Sequence, residues 1–577
     1  MFREDFVVDK KRVPMIIAII LILVIVIAGI STGIFSFGEN KKPADLYKLY
    51  SMLDENGKQI HDKSAIILQD TLLENKAIIK DGTYLALETV QKLNNRFYWD
   101  NNEELLIYTT PNDIMKVKPG AASYKISGKK EKVDYEIVKV KDNIPYINIE
   151  FVQKYTNIEY KLYSEPNRLL IKNKWDVEFE FGFANKEVNV KVTPDKKAEV
   201  LKASKVGEKY TILEKQEKWT KVITEEGFIG YVQNNKLNNF TKEIVSREFE
   251  YPEYTSIEKD YRISMAWHQV TIAAANSTLS AMTDEMKGVN TISPTWFSVI
   301  DTEGNISSLA DAAYVNEAHS MGLEVWALID DFAKDEDNNR IIREVIPYTS
   351  KRAKLINQIM TQLDTYNIDG INIDFEYINS ENGENYIQFL RELSIECRKA
   401  KKVLSVDNYV ASAWSIHYNR KEQGIICDYL IIMGYDEHNT SSETAGSVAS
   451  LPFVRTGIEE TIAEVGNSKK VINALPFYTR VWFEEADGSL RSEAVGMEVA
   501  EQSIANANAQ PNWSQDHSQY YAEYNSGTAL CRVWLEDEKS IIEKLNLMDE
   551  FELAGAAYWK LGFEKPAIWD VINKYFK

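Results

Sequence analysis

The part of the chain after residue 250 alternates short apolar runs with helical segments, and this alternation restricts the fold more than any other feature. Runs such as RISMAWHQ, VNTISPTWF, LEVWALIDD and INIDFEY are separated by amphipathic stretches such as TSKRAKLINQIMTQLDTY. Roughly eight strand–helix pairs fit into this region, which suits the usual length of a barrel of eight parallel strands surrounded by helices. The sequence therefore predicts a C-terminal α/β domain, a (β/α)8 TIM barrel, over residues 250–577.

A long uncharged run lies near the N-terminus, PMIIAIILILVIVIAGISTGIFSF at residues 14–37, with the basic triplet KKR just before it. The run exceeds the roughly 20 residues that a membrane-spanning helix needs. By the positive-inside rule we predict a cytoplasmic tail at 1–12, a transmembrane anchor at 13–37 and export of everything after it. The alternative is a cleaved secretion signal, which would have a shorter apolar region and a small-x-small cleavage site.

The composition excludes several classes of function. The 577 residues carry a formal net charge of -20, which opposes binding to nucleic acid by bulk attraction. Three cysteines without CxxC spacing indicate neither a disulfide framework nor a zinc site. With no H-E-x-x-H pattern and no glycine-rich phosphate loop, no metal or cofactor is predicted.

Three segments separate the predicted anchor from the predicted barrel. Residues 38–63 are polar and read as a linker. Residues 64–175 contain two similar stretches, each a strand, a short helix and a hairpin, which predict a duplicated α+β module. Residues 183–240 alternate short strands with Pro and Gly and predict a small β-barrel.

Both small modules resemble known families. The α+β module is similar to the N-terminal module named after copper amine oxidases, although no cluster of His or Cys implies a metal here. The β-barrel resembles a bacterial SH3-like domain through its VGEKYTILE, WTKVI and GYV strands. That resemblance implies contact with cell-wall peptide, and a purely structural role stays open for both modules.

The stretch DGINIDFEYI at 369–378 places polar residues at alternate positions of one predicted barrel strand. Because strand side chains alternate faces, Asn372, Asp374 and Glu376 point toward the barrel axis. Asp374 and Glu376 then lie at the C-terminal mouth, where barrel active sites form. Two partly desolvated carboxylates at this spacing cannot both ionise easily, so one pKa is expected to rise and one group to act as a general acid.

Four motifs together resemble glycoside hydrolase family 18. DGINIDFE is similar to the family signature D-G-x-D-x-D-x-E on the fourth barrel strand. MGYD at 433–436, LPFYTR at 475–480 and the Trp of AAYWKLG resemble motifs of the sixth, seventh and eighth strands. The NIDFE form resembles the branch that includes spore-cortex and peptidoglycan N-acetylglucosaminidases.

The resemblance implies substrate-assisted retaining catalysis, in which the acetamido group of the substrate is the nucleophile. It assigns Glu376 as the general acid and base, and Asp374 and Tyr435 as partners of the acetamido N–H and oxygen. The implied substrate-binding residues are Trp559 under the sugar ring, with Asn372, Met433, Asp436 and Arg480. Two further residues of the set Trp267, Trp296, Trp326, Trp414 and Trp482 are expected to contact sugar.

Asn372 departs from the signature, which has Asp at this position. We expect its NH2 to donate a hydrogen bond to Asp374 and to favour the ionised form of that carboxyl. Activity should then survive with a shifted pH profile.

The predicted function is a membrane-anchored, exported glycoside hydrolase that cleaves β-1,4 bonds after N-acetylglucosamine in peptidoglycan at a Gram-positive cell wall. The expected partners are an N-acetylglucosamine polysaccharide, wall peptide at the SH3-like module and the membrane, without nucleic acid. One alternative replaces peptidoglycan by chitin or chitooligosaccharides. Another is a barrel that binds glycan without cleaving it, which the departure at Asn372 leaves open.

Overall fold

A computed structural model describes residues 38–576 together with Ala18, Leu21, Ile22 and Val24. Apart from those four residues, the predicted tail and transmembrane anchor lie outside the described residues. Among the residues that are described, we find no helix that is long and apolar enough to cross a membrane. The chain divides into two compact units, one of residues up to 95 with 134–250 and one of residues 96–133 with 251–577.

Eight parallel strands of the second unit close into a barrel, which confirms the predicted fold. In chain order they are β1 (Ile263–His268), β2 (Thr291–Val299), β3 (Glu324–Asp330), β4 (Gly370–Asp374), β5 (Val403–Tyr409), β6 (Tyr429–Met433), β7 (Val471–Pro476) and β8 (Gly555–Trp559). Each strand pairs with its neighbours in sequence order, and β8 pairs with β1 to close the ring. A short strand, Ile306–Ser308, pairs antiparallel with β2.

Helices surround this barrel, and their apolar faces pack on the outward side chains of the strands. The helices are Leu279–Thr283, Ala312–Ser320, Ile342–Val345, Thr349–Thr365, Gly383–Ala400, Arg420–Ile426, Leu451–Val465, Met497–Asn506, Glu538–Glu550 and Ala567–Tyr575. Short 3-10 turns occur at Ala273–Thr278, Ser380–Asn382, Ala413–Tyr418 and Ser468–Lys470. A second, smaller cluster fills the barrel interior with residues such as Met265, Trp326 and Ile431.

Gly370 makes room for this interior on the strand that carries the acidic motif. A Cβ atom built on Gly370 would lie 2.9 Å from the ring of Trp326 and 2.9 Å from the carbonyl oxygen of Val403. Such contacts are too close for any side chain, so glycine lets β4 approach its two neighbours. The polar residues of β4 are thereby held in the middle of the barrel wall.

Between β7 and β8 the chain forms a five-stranded antiparallel sheet that the sequence reasoning did not find. Its strands, in spatial order, are Leu490–Gly496, Tyr478–Glu484, Ala529–Trp534, Gln519–Ser526 and Asn512–Ser514. The helix Met497–Asn506 packs on this sheet through Ala500 and Ile504. We call this sheet and its helix the insertion sheet.

Residues 96–133 pack on the barrel, whereas the predicted α+β module ran unbroken from 64 to 175. They form a three-stranded sheet and a hairpin with strands Phe97–Asp100, Leu105–Thr109, Ile114–Val117, Ser123–Ile126 and Lys129–Lys132. Asp100, which is fully buried, accepts hydrogen bonds from the backbone N (2.7 Å) and Oγ1 (2.6 Å) of Thr349. The helix that begins at Thr349 has no cap from its own preceding residue, so Asp100 supplies the cap.

The first unit contains two seven-stranded sheets. In spatial order the first, which is mainly antiparallel, comprises Glu159–Tyr163, Arg168–Lys172, Lys63–Leu68, Thr71–Ile78, Tyr84–Ala86, Ile144–Asn148 and Val138–Lys141. The second, entirely antiparallel, comprises Val200–Ser204, Val188–Lys191, Ile229–Gln233, Trp219–Thr224, Lys209–Lys215, Val177–Ala184 and Leu237–Val245. From residue 38 onward, the helices described in this unit are Leu46–Leu49, Leu87–Leu93 and Ile149–Lys154, with a 3-10 turn at Asn234–Lys236. The family resemblances of these modules stay predictions.

Candidate active site

A cavity of about 630 Å³ opens at the C-terminal ends of the barrel strands, where the sequence placed the acidic motif. Five carboxyl groups line it, from Asp330, Asp374, Glu376, Asp407 and Asp436, and no lysine or arginine of the described residues does so. Seven aromatic side chains and nine aliphatic or uncharged polar residues supply the remaining wall. The cavity is therefore suited to a neutral ligand with a flat apolar face, and unsuited to an anion.

Glu376 stands just beyond the end of β4, which stops at Asp374. Its Oε2 accepts a hydrogen bond of 2.6 Å from the hydroxyl of Tyr409, the last residue of β5. Burial raises the pKa of Glu376 above its usual value, while the Tyr409 hydrogen bond opposes that rise and Asp436 adds to it. A carboxyl group that keeps its proton in a cavity is equipped to act as a general acid.

Asp331 fixes the backbone that carries Glu376, a contact that the sequence reasoning missed. Its two carboxyl oxygens accept hydrogen bonds from the backbone N of Glu376 (3.0 Å) and of Tyr377 (2.9 Å). Burial raises the pKa of Asp331 to about 7. The turn after β4 is thus held by the residue that follows β3, and the backbone of Glu376 cannot shift without disturbing these bonds.

Asp374 is buried at the base of the cavity. Its Oδ1 has no hydrogen-bond partner among the described residues. Burial raises the pKa of Asp374 well above its usual value, and the nearby carboxyls of Glu376 and Asp407 raise it further. A buried acceptor of this kind costs free energy unless a ligand donor reaches it, as an amide N–H would.

Asn372 lies beneath the cavity and does not line it. Its Oδ1 accepts from the indole Nε1 of Trp267 at 3.0 Å, and its Nδ2 donates to Asp407 Oδ1 at 2.9 Å and to Ser405 Oγ at 3.2 Å. The expected hydrogen bond from this amide to Asp374 is therefore wrong. The amide is committed to Asp407 because the indole N–H can only donate, so the amide oxygen must face Trp267.

The other predicted residues separate into two groups. Met433, Tyr435, Asp436 and Trp559 all line the cavity, and Asp436 accepts a 2.6 Å hydrogen bond from the hydroxyl of Tyr478. Arg480 does not line it, because its position on the insertion sheet directs Nη1 to Ser492 Oγ at 3.1 Å. Burial raises the pKa of the Tyr435 hydroxyl well above its usual value, so it can donate a hydrogen bond at any moderate pH.

Two of the five tryptophans considered for sugar contact reach the cavity, Trp267 and Trp296. The ring of Trp267 packs edge to face on Trp559, with centroids 5.7 Å apart. Trp326 and Trp482 are buried elsewhere, and Trp414 is 61% exposed. Trp267 and Trp559 therefore form one aromatic corner beside the carboxyls.

Tyr409 and Asp407 belong to the inward row of β5, which also contains Val403 and Ser405. In the sequence VLSVDNY these are alternate residues, so the two-residue period could have placed them beside the acidic motif. No family motif drew attention to that strand.

In the described part of the chain, no group of three or more His, Cys, Asp or Glu residues is arranged to hold a metal ion. The geometry instead brings together a protonatable carboxyl, a buried hydrogen-bond acceptor, a tyrosine hydroxyl and an aromatic corner. This set can donate a proton, bind an amide and hold a sugar ring.

Comparison with known proteins agrees with that chemistry. Residues 337–564 match the model of glycosyl hydrolases family 18. The matched stretch lies within the barrel, so this part of the chain is similar to a family 18 domain, which is consistent with a glycoside hydrolase.

Two similar proteins and one solved structure show how far the likeness extends along the chain. The chain is 27% identical over 320 residues to the uncharacterized glycosylase YvbX of Bacillus subtilis (strain 168), covering 52% of this chain and 92% of the relative. It is 28% identical over 239 residues to the cortical fragment-lytic enzyme of the same organism, covering 40% of this chain and only 54% of that enzyme. The crystal structure of the Bacillus cereus spore cortex-lytic enzyme SleL has a TM-score of 0.50 at 21% identity, covering 58% of this chain and 78% of that one, and supports the fold.

Proposed function

We propose that this protein hydrolyses β-1,4 glycosidic bonds after N-acetylglucosamine in peptidoglycan, with the acetamido group of the substrate as nucleophile. The observation that carries the proposal is the buried Oδ1 of Asp374, which has no partner among the described residues and belongs to a residue that lines the cavity with Glu376. An acetamido N–H would satisfy that oxygen. The same contact would turn the acetamido carbonyl toward the anomeric carbon.

The reaction then needs one proton donor. Glu376 gives its proton to the glycosidic oxygen as the C1–O bond breaks, and the acetamido oxygen bonds to C1 from the opposite face. The Tyr435 hydroxyl donates a hydrogen bond to that oxygen, and Trp559 supports the ring. Glu376, now a carboxylate, takes a proton from water, which attacks C1, reopens the acetamide and leaves the anomeric configuration unchanged.

Peptidoglycan is favoured over chitin by the relatives whose names refer to cortical fragments and spore cortex. The predicted anchor at 13–37 and the predicted SH3-like module at 183–240 also suit an enzyme that works at a Gram-positive wall, with the barrel outside the membrane. Chitooligosaccharides remain the substrate to compare.

The decisive experiment uses the full chain purified in detergent and incubated with isolated peptidoglycan. The released fragments are reduced and analysed by mass spectrometry. The expected product has N-acetylglucosamine at its reducing end, and Glu376→Gln should release none. Glu381→Gln is the matched control, because it makes the same chemical change at an exposed residue that does not line the cavity.

Other results would redirect the proposal. Muramic acid at the reducing end would show that the enzyme cleaves the bond after the muramic acid residue and not the bond after N-acetylglucosamine. Cleavage of chitooligosaccharides alone would favour a chitinase, and binding without any cleavage would favour a non-catalytic glycan-binding barrel. Cleavage of oligosaccharides whose acetyl groups have been removed would contradict the acetamido mechanism.

The membrane anchor needs its own experiment. We expect the full chain to stay in the membrane fraction after an alkaline carbonate wash and its C-terminal barrel to be cut by protease added to cells without a wall. Recovery of a soluble form that lacks residues 1–37 would instead favour a cleaved secretion signal.

A further inference from the structure

A third carboxyl group lies in the wall of the active site, on a strand that no motif marked. Asp407 belongs to β5, is 3% exposed and lines the cavity with Asp374 and Glu376. The strands pair in register through Ile373 and Val406, so the next residues, Asp374 and Asp407, occupy the same layer of the barrel. These two carboxyls are therefore cross-strand neighbours inside the protein.

The layer below fixes the role of Asp407. Asn372 pairs in register with Ser405, and its amide is oriented by the donor of Trp267. The only direction left for the amide NH2 is toward β5, where it donates to Asp407 Oδ1 at 2.9 Å. The family signature has a carboxyl at position 372 and this chain has an amide, but the amide bonds to a carboxyl one strand away.

We propose that Asp407 supplies, from the neighbouring strand, the inner carboxyl that the family signature places at position 372, and acts as a positioning residue for Asp374 and Glu376. The proposal rests on the proposed function, because it concerns the protonation of the groups that perform it. It gives the amide at Asn372 a carboxyl partner inside the site.

The electrostatic surroundings of Asp407 define what it does. The titratable groups that face it are Asp374 at the end of β4, Glu376 just beyond it, Tyr435 from the turn after β6 and Tyr386 from the helix Gly383–Ala400. Asp330 at the end of β3 and Asp331 after it act on Asp374. Among the described residues, the Asn372 amide is the group that donates a hydrogen bond to the Asp407 carboxyl, and this bond favours the ionised form. Burial nevertheless raises the pKa of Asp407 well above its usual value, and the carboxyl of Glu376 adds to that rise.

Asp374, Glu376 and Asp407 lie together in the buried wall of the cavity, so a negative charge on any one of these carboxyls makes ionisation of the others harder. Glu376 therefore keeps the proton that it must donate up to a higher pH than it would beside a neutral group. Removing the charge should move the alkaline limb of the kcat/KM profile to lower pH by roughly one unit.

The test is a swap of the amide and the carboxyl in the full chain, with kcat/KM measured against pH. Asp407→Asn should move the alkaline limb to lower pH, and Asn372→Asp, which adds a carboxyl, should move it to higher pH. The double variant, with the pair reversed, should return the limb toward that of the parent. Ser405→Ala is the matched control, because it removes the other acceptor of the same amide and no titratable group.

A purely structural role would give a different pattern. Asp407→Asn would then lower kcat at every pH without moving either limb, and the double variant would be no closer to the parent. Either result would overturn the proposal. If Asp407→Asn does not fold, the double variant still decides, because it keeps one amide and one carboxyl in contact.

A second readout separates this proposal from the proposed function. Since the pKa of Asp407 is raised in the folded protein, its contribution to stability is present at low pH and is lost as pH rises above the usual range of an aspartate. Urea unfolding should therefore be less pH-dependent in Asp407→Asn than in the parent, even if no substrate is cleaved. Equal pH dependence in both proteins would count against Asp407.

Discussion

The hydrogen bond from Tyr409 to Glu376 allows a quantitative prediction about the proposed acid. Tyr409→Phe removes a hydroxyl that donates to Glu376 Oε2 at 2.6 Å and keeps the ring at the end of β5. A hydroxyl bonds more strongly to a carboxylate than to a neutral carboxylic acid. The native hydrogen bond therefore lowers the pKa of Glu376 against the effect of burial, and its loss should raise that pKa.

The size of the pKa shift of Glu376 follows from the strengths of a hydrogen bond to a charged and to a neutral carboxyl group. A hydrogen bond to a charged group contributes roughly 1.5–3 kcal/mol and a neutral one about 0.5–1.5 kcal/mol, so the difference is about 1–1.5 kcal/mol. That difference corresponds to about one pKa unit. We expect the alkaline limb of kcat/KM to move to higher pH by about one unit and the maximal kcat to fall by less than about tenfold.

The assay follows the release of reducing ends from a soluble glycan substrate by the full chain between about pH 4 and pH 9. Tyr377→Phe is the matched control, because it removes a hydroxyl one residue from Glu376 that is not bonded to its carboxyl group. If the alkaline limb of the kcat/KM profile of Tyr409→Phe stays in place or moves to lower pH, the assignment of Glu376 as the titrating acid is refuted. The predicted direction is opposite to that for Asp407→Asn, so one series of profiles tests both.

Three further outcomes are expected. Burial raises the pKa of Asp331 to about 7, so its contribution to stability is present below about pH 4 and is lost as pH rises through 7. In urea unfolding, the free energy of unfolding of the parent, compared with that of Asp331→Asn, should fall by up to about 4 kcal/mol across that window. Asp100→Ala leaves the first N–H of the helix at Thr349 without its cap and should cost about 2–3 kcal/mol in the same assay, with kcat unchanged. Trp559→Leu should raise KM about tenfold more than it lowers kcat, since it removes a stacking surface.

Each of these has a result that would contradict it. Parallel stability curves for the parent and Asp331→Asn would mean that Asp331 does not titrate in this window. Asp100→Ala with unchanged stability would mean that the cap at Thr349 contributes nothing. A loss confined to kcat in Trp559→Leu would place the ring at the reacting atoms and not under a bound sugar.

The barrel could be predicted because its information is local and repeated. Each strand is a short apolar run between amphipathic helices, and the polar residues of β4 follow a two-residue period that specifies which side chains face the axis. This period identified Asp374 and Glu376 and predicted the raised pKa. It described Glu376 less well, because β4 ends at Asp374 and the following turn is held by Asp331, which comes just after β3.

The remaining features depend on contacts between residues far apart in sequence. Asn372 has two donor hydrogens, and only the position of Trp267 on β1 determines that they face Asp407 and not Asp374. The insertion sheet was missed because several of its strands, such as Leu490–Gly496 and Gln519–Ser526, are rich in polar residues and lack the apolar runs of the barrel strands. The packing of 96–133 on the barrel was missed because Asp100 reads as an ordinary turn aspartate until Thr349 is placed beside it.

That packing has a consequence for how the protein is made. The strand that ends at Asp100 leaves the ribosome long before the helix at Thr349 that it caps, and the residues between them include a large part of the other unit. Neither unit is a continuous stretch of chain, so the nascent segment at 96–133 must wait for the barrel to be synthesised. A shortened form that begins at residue 250 would contain every residue of the cavity but would lack this cap, and production of the barrel alone should therefore retain residues 96–133.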